Sequence, residues 1–151
     1  MKPKIFLATD HAGFEMKEFM KKALLKEGYN VIDKGALEYD KEDDYPDFII
    51  SAAKEVSKDK ISKGIIFGGS GQGEAISANK VKGVRAAVYN CNNLEIVKLS
   101  REHNDANILS IGARFMTNDH AFEAAKIWLS TYFTNDERHV RRISKITKAE
   151  K

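Results

Sequence analysis

The chain is poor in the residues that would settle several functions at once. Its 151 residues include one cysteine, Cys91, two prolines and one tryptophan. A lone cysteine excludes an intramolecular disulfide and a cysteine-rich zinc site, and nothing around Cys91-Asn92-Asn93 lowers a thiol pKa, so Cys91 is expected to be structural. Apolar runs of the ~18 residues that a membrane helix needs are lacking. The start, Met1-Lys2-Pro3-Lys4-Ile5, enters a strand with no apolar leader, so a cytoplasmic protein with no membrane partner is expected. The four histidines, His11, His103, His120 and His139, are scattered with no H-x-x-x-H or H-E-x-x-H spacing, and no metal site is expected. His120, which precedes the apolar positions of a helix, takes no role. Repeats and low-complexity linkers are missing too, and the length suits one full core rather than two.

Charge of one sign is also scarce, since the net charge is only +3. The basic excess collects in Arg138, Arg141, Arg142, Lys145, Lys148 and Lys151. No aromatic residue is interleaved in that stretch to stack on bases, so no nucleic-acid partner is expected.

What is present is a strict alternation. Lys4 to Thr9 reads as a buried strand, and Phe14, Met16, Phe19, Met20 and Ala23 recur at helical spacing until Gly28 stops them. Tyr29 to Gly35 is a second strand, followed by the acidic loop Glu38 to Asp44. A helix led by Tyr45-Pro46-Asp47 comes next. Lys63 to Phe67, Gly83 to Tyr89 and Asn107 to Gly112 supply three more strands. Helices are expected after the Gly68 to Glu74 loop, over Leu94 to Arg101, over Asp119 to Phe133 and, as a basic C-terminal helix within residues 138–151, from Val140 to Ala149. Trp128 is expected to be a packed aromatic. Such alternation predicts a single α/β domain with a parallel sheet covered on both faces. Ligands of these sheets bind beyond the carboxyl ends of the strands, which here are Asp10-His11, Gly35, Gly68 to Glu74, Asn90-Cys91 and Gly112-Ala113-Arg114.

The strongest of these exits is Gly68-Gly69-Ser70-Gly71-Gln72-Gly73-Glu74. A glycine-rich turn between strand and helix presents backbone N–H groups to an anion. A phosphate-binding loop of the G-x-x-x-x-G-K-[ST] type would carry lysine where Glu74 stands, and G-x-G-x-G-E is not the dinucleotide fingerprint. A carboxylate in such a turn points to proton chemistry. Asp10 reads equally as a helix N-cap or as a ligand. His11 shares its helix N-terminus, where an anion would sit. His103 lies in the polar run Ser100 to Asn107, where a plain surface histidine is the competing reading. Arg138 and Arg142, at i and i+4, share a helical face if the last helix begins early enough. They form either a two-pronged phosphate clamp or a solvated charge run, which composition alone favours.

Asp10-His11-Ala12-Gly13-Phe14, Asp44-Tyr45-Pro46-Asp47, the Gly68 to Glu74 loop with Ala78-Asn79-Lys80, Gly83-Val84-Arg85-Ala86, Ser100 to Asp105 and Arg138-His139 together resemble the type B ribose-5-phosphate isomerases. That family also includes galactose-6-phosphate and allose-6-phosphate isomerases. The resemblance spans nearly the whole chain, in order. It implies a three-layer, Rossmann-like α/β/α sandwich around a five-stranded parallel sheet, working without nucleotide, metal or other cofactor. It also implies a homodimer, or a dimer of dimers, with active sites shared between subunits. One branch of the family has a cysteine base at the start of the glycine loop, where this chain has Gly68; the other branch has a glutamate at its end, matching Glu74. The resemblance therefore makes Glu74 the base of an enediolate mechanism, with Ser70 and the N–H groups of Gly71 and Gly73 holding the oxyanion. It makes His103 the proton donor to the ring oxygen and gives Asp10 the anomeric hydroxyl. Tyr45, Asn104 and Gly69 would line the substrate, and His11, Arg114, Arg138, His139 and Arg142 would grip a phosphate. Two effects oppose each other at Glu74: a helix N-terminus favours its ionised form, and a dry pocket disfavours it. A six-carbon sugar phosphate as substrate, or a regulator that binds a sugar phosphate or nucleic acid, are the competing expectations.

Overall fold

A computed structural model describes residues 2–150, leaving Met1 and Lys151 outside the described residues. The strands are β1 (Lys4–Thr9), β2 (Asn30–Asp33), β3 (Lys63–Gly68), β4 (Ala86–Tyr89) and β5 (Ile108–Gly112). The helices are α1 (Phe14–Lys26), α2 (Tyr45–Val56), α3 (Gln72–Ala78), α4 (Leu94–Glu102), α5 (Asn118–Ser130) and α6 (Glu137–Ala149). All strand pairs are parallel, in the order β2-β1-β3-β5-β4. The order reverses between β1 and β3, so their two exits flank the crevice where such sheets bind ligands.

Side chains alternate across the sheet with period two, and the core divides accordingly. Ile5, Leu7, Ile65 and Phe67 face one side, where they pack with Met20 and Leu24 of α1 and Ala121, Ala125 and Trp128 of α5. Phe6, Ala8 and Ile66 face the other, against Ile49, Ala53 and Val56 of α2 and Ala78 of α3. Each fully buried aliphatic side chain contributes about 1.5–3 kcal/mol, and continuous burial of β1 and β3 is what allows helices to cover both faces. The architecture is the three-layer α/β/α sandwich with a five-stranded parallel sheet. Among the described residues no helix is long and apolar enough to cross a membrane.

Several boundaries differ from expectation for local reasons. Gly83 has φ +84° and belongs to a turn after α3, so β4 starts only at Ala86, whose N–H and C=O are both taken by the Asn79 side chain. α5 ends at Ser130 rather than Phe133, with Thr131 already extended. α6 starts at Glu137, before the expected Val140, and so carries Arg138, His139 and Arg142 within the helix. It leaves Val140 46% and Ile146 53% exposed. It is tied to the body through Gly83 N–H, which donates to the Glu150 carboxylate, and through the preceding segment, where Thr134 N–H donates to Glu102 C=O.

Candidate active site

The site starts where β1 and β3 end side by side, with Thr9 in register with Phe67. Asp10 follows β1 and accepts a hydrogen bond from Ala12 N–H at 3.0 Å, capping a short 3-10 turn over His11–Gly13. That turn is pressed onto β3: a Cβ on Gly13 would lie 2.4 Å from Thr9 Oγ1 and 2.5 Å from Phe67 Cβ, so only glycine fits. Asp10 is thus an N-cap that also forms part of the cleft wall.

The glycine loop is fixed from the neighbouring strand exits. Ser110 Oγ donates to Gly71 C=O at 2.6 Å, Asn90 Nδ2 to Ser70 C=O at 3.0 Å and Arg114 N–H to Gly69 C=O at 3.1 Å. Gly71 has φ +81° and lies against the β5 backbone, where a Cβ would stand 3.1 Å from Ser110 O. It is buried beneath the loop and does not line the cleft.

Glu74, in the first turn of α3, folds its side chain back beneath this loop. A Cβ on Gly68 would stand 1.6 Å from Glu74 Oε1 and 2.0 Å from its carboxyl carbon, so the carboxylate fills the space that a side chain at position 68 would need. Glu74 is only 5% exposed. Burial raises its pKa above the ordinary glutamate value; the charge of Asp10 adds to this, and the backbone amides of Glu74 and Gly71 oppose it. Burial therefore outweighs the two backbone amides at the start of the helix.

Around this carboxylate lies a cleft of about 320 Å³ walled by Asp10, His11, Ser70, Gly73, Glu74 and Arg114, with Tyr45 and Gly69 completing it. The Tyr45 hydroxyl overhangs Gly73, whose absent Cβ would be 2.6 Å from it, and the Arg114 guanidinium overhangs Gly69 at 3.0 Å by the same measure. A second cleft of about 540 Å³, lined by His11, Arg114, Phe14 and Tyr39, adjoins the first. His11 Nδ1 is 2.7 Å from Asp43 Oδ1, and that oxygen also accepts from His11 N–H at 3.0 Å. The Asp43 contact raises the imidazole pKa; partial burial opposes it, the charges of Asp10 and Asp43 support it, and Arg114 opposes it.

The other expected site residues stand elsewhere. His103 is the C-cap of α4, at the end of the sheet where β5 begins, and its ring stacks on His139 with centroids 4.3 Å and planes 19° apart. Burial, then His103 and Arg138, lower the His139 pKa against the pull of Asp136. Arg138 and Arg142 are exposed on α6, and exposed Asn104 lines a different cleft with Arg85 and Ile146. The five residues of β5, about 16 Å at 3.3 Å per residue, separate this end from the glycine loop. Within one chain the structure brings Asp10, His11, Tyr45, Gly69, Ser70, Gly73, Glu74 and Arg114 together and leaves His103, Asn104, Arg138, His139 and Arg142 apart. Asp43, Asn90 and Ser110 are supports the sequence reading missed. Asp43 looks like any member of an acidic loop, and the other two act through contacts distant in sequence.

Residues 5–146 match the family described as Ribose/Galactose Isomerase. Ribose-5-phosphate isomerase B of Mycolicibacterium paratuberculosis is 41% identical over 148 residues, covering 98% of this chain and 92% of that protein. The putative sugar phosphate isomerase YwlF of Bacillus subtilis is 40% identical over 144 residues, 95% of each chain. Among solved structures, ribose-5-phosphate isomerase B of Mycoplasma genitalium with bound ribulose-5-phosphate superposes with a TM-score of 0.94 at 37% identity, covering 99% of this chain and 97% of that one. The Clostridium thermocellum ribose-5-phosphate isomerase B gives a TM-score of 0.91 at 41% identity and 97% coverage of both chains.

Proposed function

The chain belongs to the ribose/galactose isomerase family, and we propose on that premise that it interconverts D-ribose 5-phosphate and D-ribulose 5-phosphate through an enediolate, with Glu74 as the base. The observation that carries this reading is the Glu74 carboxylate lying where a side chain at position 68 would lie. Aldose–ketose isomerisation needs a group that takes a proton from one carbon and returns it to the next. A buried carboxylate with a raised pKa, facing a cleft, is suited to both halves of that transfer.

The remaining roles follow from the chemistry. Asp10, on the same wall, takes the anomeric hydroxyl as the ring opens. Ser70 and the Gly73 N–H stabilise the negative charge that develops on oxygen as the proton leaves carbon, which is where fixed donors in a dry site gain most. Gly71 serves mainly to hold the loop and the base, and Gly69 and Tyr45 shape the sugar site. His11 and Arg114, where the two clefts meet, bind the phosphate. The site is completed by a second copy of the chain, which brings His103 for the ring oxygen, Asn104 for the sugar, and Arg138, His139 and Arg142 for the phosphate. The unit is thus a homodimer or a dimer of dimers, acting on a cytosolic metabolite. The supports are the separation of these residues from Glu74 within one chain and the exposed apolar side chains of α6.

The test is loss of the C2 proton of ribose 5-phosphate to deuterated water, followed alongside turnover. Glu74→Gln should lower kcat by roughly 10²–10⁴-fold while KM changes little, with exchange lost in parallel. Near-normal exchange in that variant would sink the assignment. Allose 6-phosphate and galactose 6-phosphate assayed side by side decide the length of sugar by their kcat/KM ratios.

A further inference from the structure

Asp43 supports a residue of the site through one carboxylate oxygen alone. Its side chain is 8% exposed, and its Oδ1 takes both donors that His11 can turn toward it, Nδ1 at 2.7 Å and the backbone N–H at 3.0 Å. Its other oxygen, Oδ2, is buried with no hydrogen-bond partner among the described residues. A carboxylate shut away from water with one oxygen unserved is costly unless a positive charge lies against it. The group lying against it is the His11 imidazole. With Nδ1 committed to Asp43, Nε2 is the ring nitrogen left to donate, and His11 shares both clefts with Arg114.

We propose that Asp43 is a positioning residue of the phosphate site: it holds the His11 imidazole by Nδ1 as a cation, so that Nε2 donates to the substrate phosphate beside the Arg114 guanidinium. The inference rests on the reading of His11 as a phosphate ligand. The groups facing His11 are Asp43 and Asp10, which favour the charged ring, Arg114, which disfavours it, and the Tyr39 ring, edge-on at 6.3 Å. The carboxylates outweigh the guanidinium while the site is empty, and an arriving phosphate dianion tips the balance further. A purely structural Asp43 would tie the acidic loop to the β1 exit through the His11 N–H alone, and an amide at position 43 does that equally well. Charge is what separates the two roles.

The experiment compares wild type with Asp43→Asn by NMR titration of the His11 ring nitrogens, without sugar, and by titration with inorganic phosphate. The wild-type ring should titrate above the ordinary imidazole value of about 6.5, and the variant distinctly lower. Near pH 7.5 the variant should bind inorganic phosphate roughly ten-fold more weakly, the scale of one charge-assisted hydrogen bond. With ribose 5-phosphate its KM should rise by a similar factor while kcat at saturation stays within about three-fold. Equal His11 titration in the two proteins overturns the proposal, and so does a lowered titration with unchanged phosphate affinity. Wild type alone suffices if the variant does not fold, because a His11 midpoint at or below the ordinary value overturns it too. None of the NMR readouts depends on turnover. Absence of ribose 5-phosphate isomerisation in wild type would therefore remove the isomerase reading and leave the Asp43–His11 result to stand or fall separately.

Discussion

At the scale of single residues the site turns on the pairing of Gly68 with Glu74. The missing Cβ of one is the room for the carboxylate of the other, so Gly68→Ala places a methyl group 1.6 Å from Glu74 Oε1. The backbone of β3 is fixed by pairing on both sides, so it is the carboxylate that must move. Gly68→Ala should lower kcat by roughly 10²-fold or more, the worth of a positioned base, with a cooperative unfolding transition preserved; a kinetic assay beside a thermal melt checks both. Burial also gives Glu74 a pH signature. Its pKa is raised in the folded protein, so if Glu74 is the base, kcat should climb with pH through a midpoint above the ordinary glutamate value as its carboxyl ionises. Stability runs the opposite way. As pH rises, the unfolded chain ionises this residue first, so its contribution falls through the window between the unfolded and folded pKa values. Glu74→Gln, which carries no charge, should therefore melt higher than wild type above that window and level with it at lower pH, where both states are protonated. A Tm difference that does not change with pH would mean the carboxylate is solvated.

At the scale of elements, the strand–loop–helix unit β3–α3 is braced from outside its own stretch by Ser110 of β5 and by Asn90, which follows β4. Ser110 is fully buried, and its hydroxyl is bonded to Gly71 C=O at 2.6 Å. Ser110→Ala should cost about 1–2 kcal/mol in urea unfolding, the price of a buried carbonyl left unpaired. Because the bond sits under the loop, it should lower kcat as well. The elements themselves were legible because β1, β3 and β5 are buried on both faces and read as apolar runs closed by glycine or aspartate. The loop was legible because four glycines before an acid fit no nucleotide fingerprint. What was not legible is carried by contacts between distant positions. Lys17 lies on α1 as any solvated lysine would, yet it is 0% exposed and bonds Asp33 at 2.5 Å and Glu18 at 3.0 Å. Asp43 is one of several carboxylates in its loop until folding sets it against His11. The direction of the Glu74 pKa likewise depended on how deeply its side chain turned inward, which no spacing records.

At the scale of the whole molecule, Glu74 stands with Asp10, His11 and Arg114 at the strand exits, and His103 with His139 and the α6 arginines lies at the other end of the sheet. If each working site joins the first group of one subunit to the second group of another, damage to the two groups must complement. Glu74→Gln and His103→Asn homodimers each have both sites broken. A mixed dimer has one site with both lesions and one with neither. Random reassortment of equal amounts makes about half of the dimers mixed, each with one intact site of two, so about a quarter of wild-type activity should return. The recovery should follow subunit exchange in time and vanish when exchange is blocked by cross-linking each parent beforehand. A site built within one chain predicts instead that the mixture never exceeds the mean of its parents, because every subunit then carries its own lesion. Val140 and Ile146, exposed on α6, extend the same argument: replacing both with aspartate should weaken association and abolish turnover together, and an active monomer would refute the shared site.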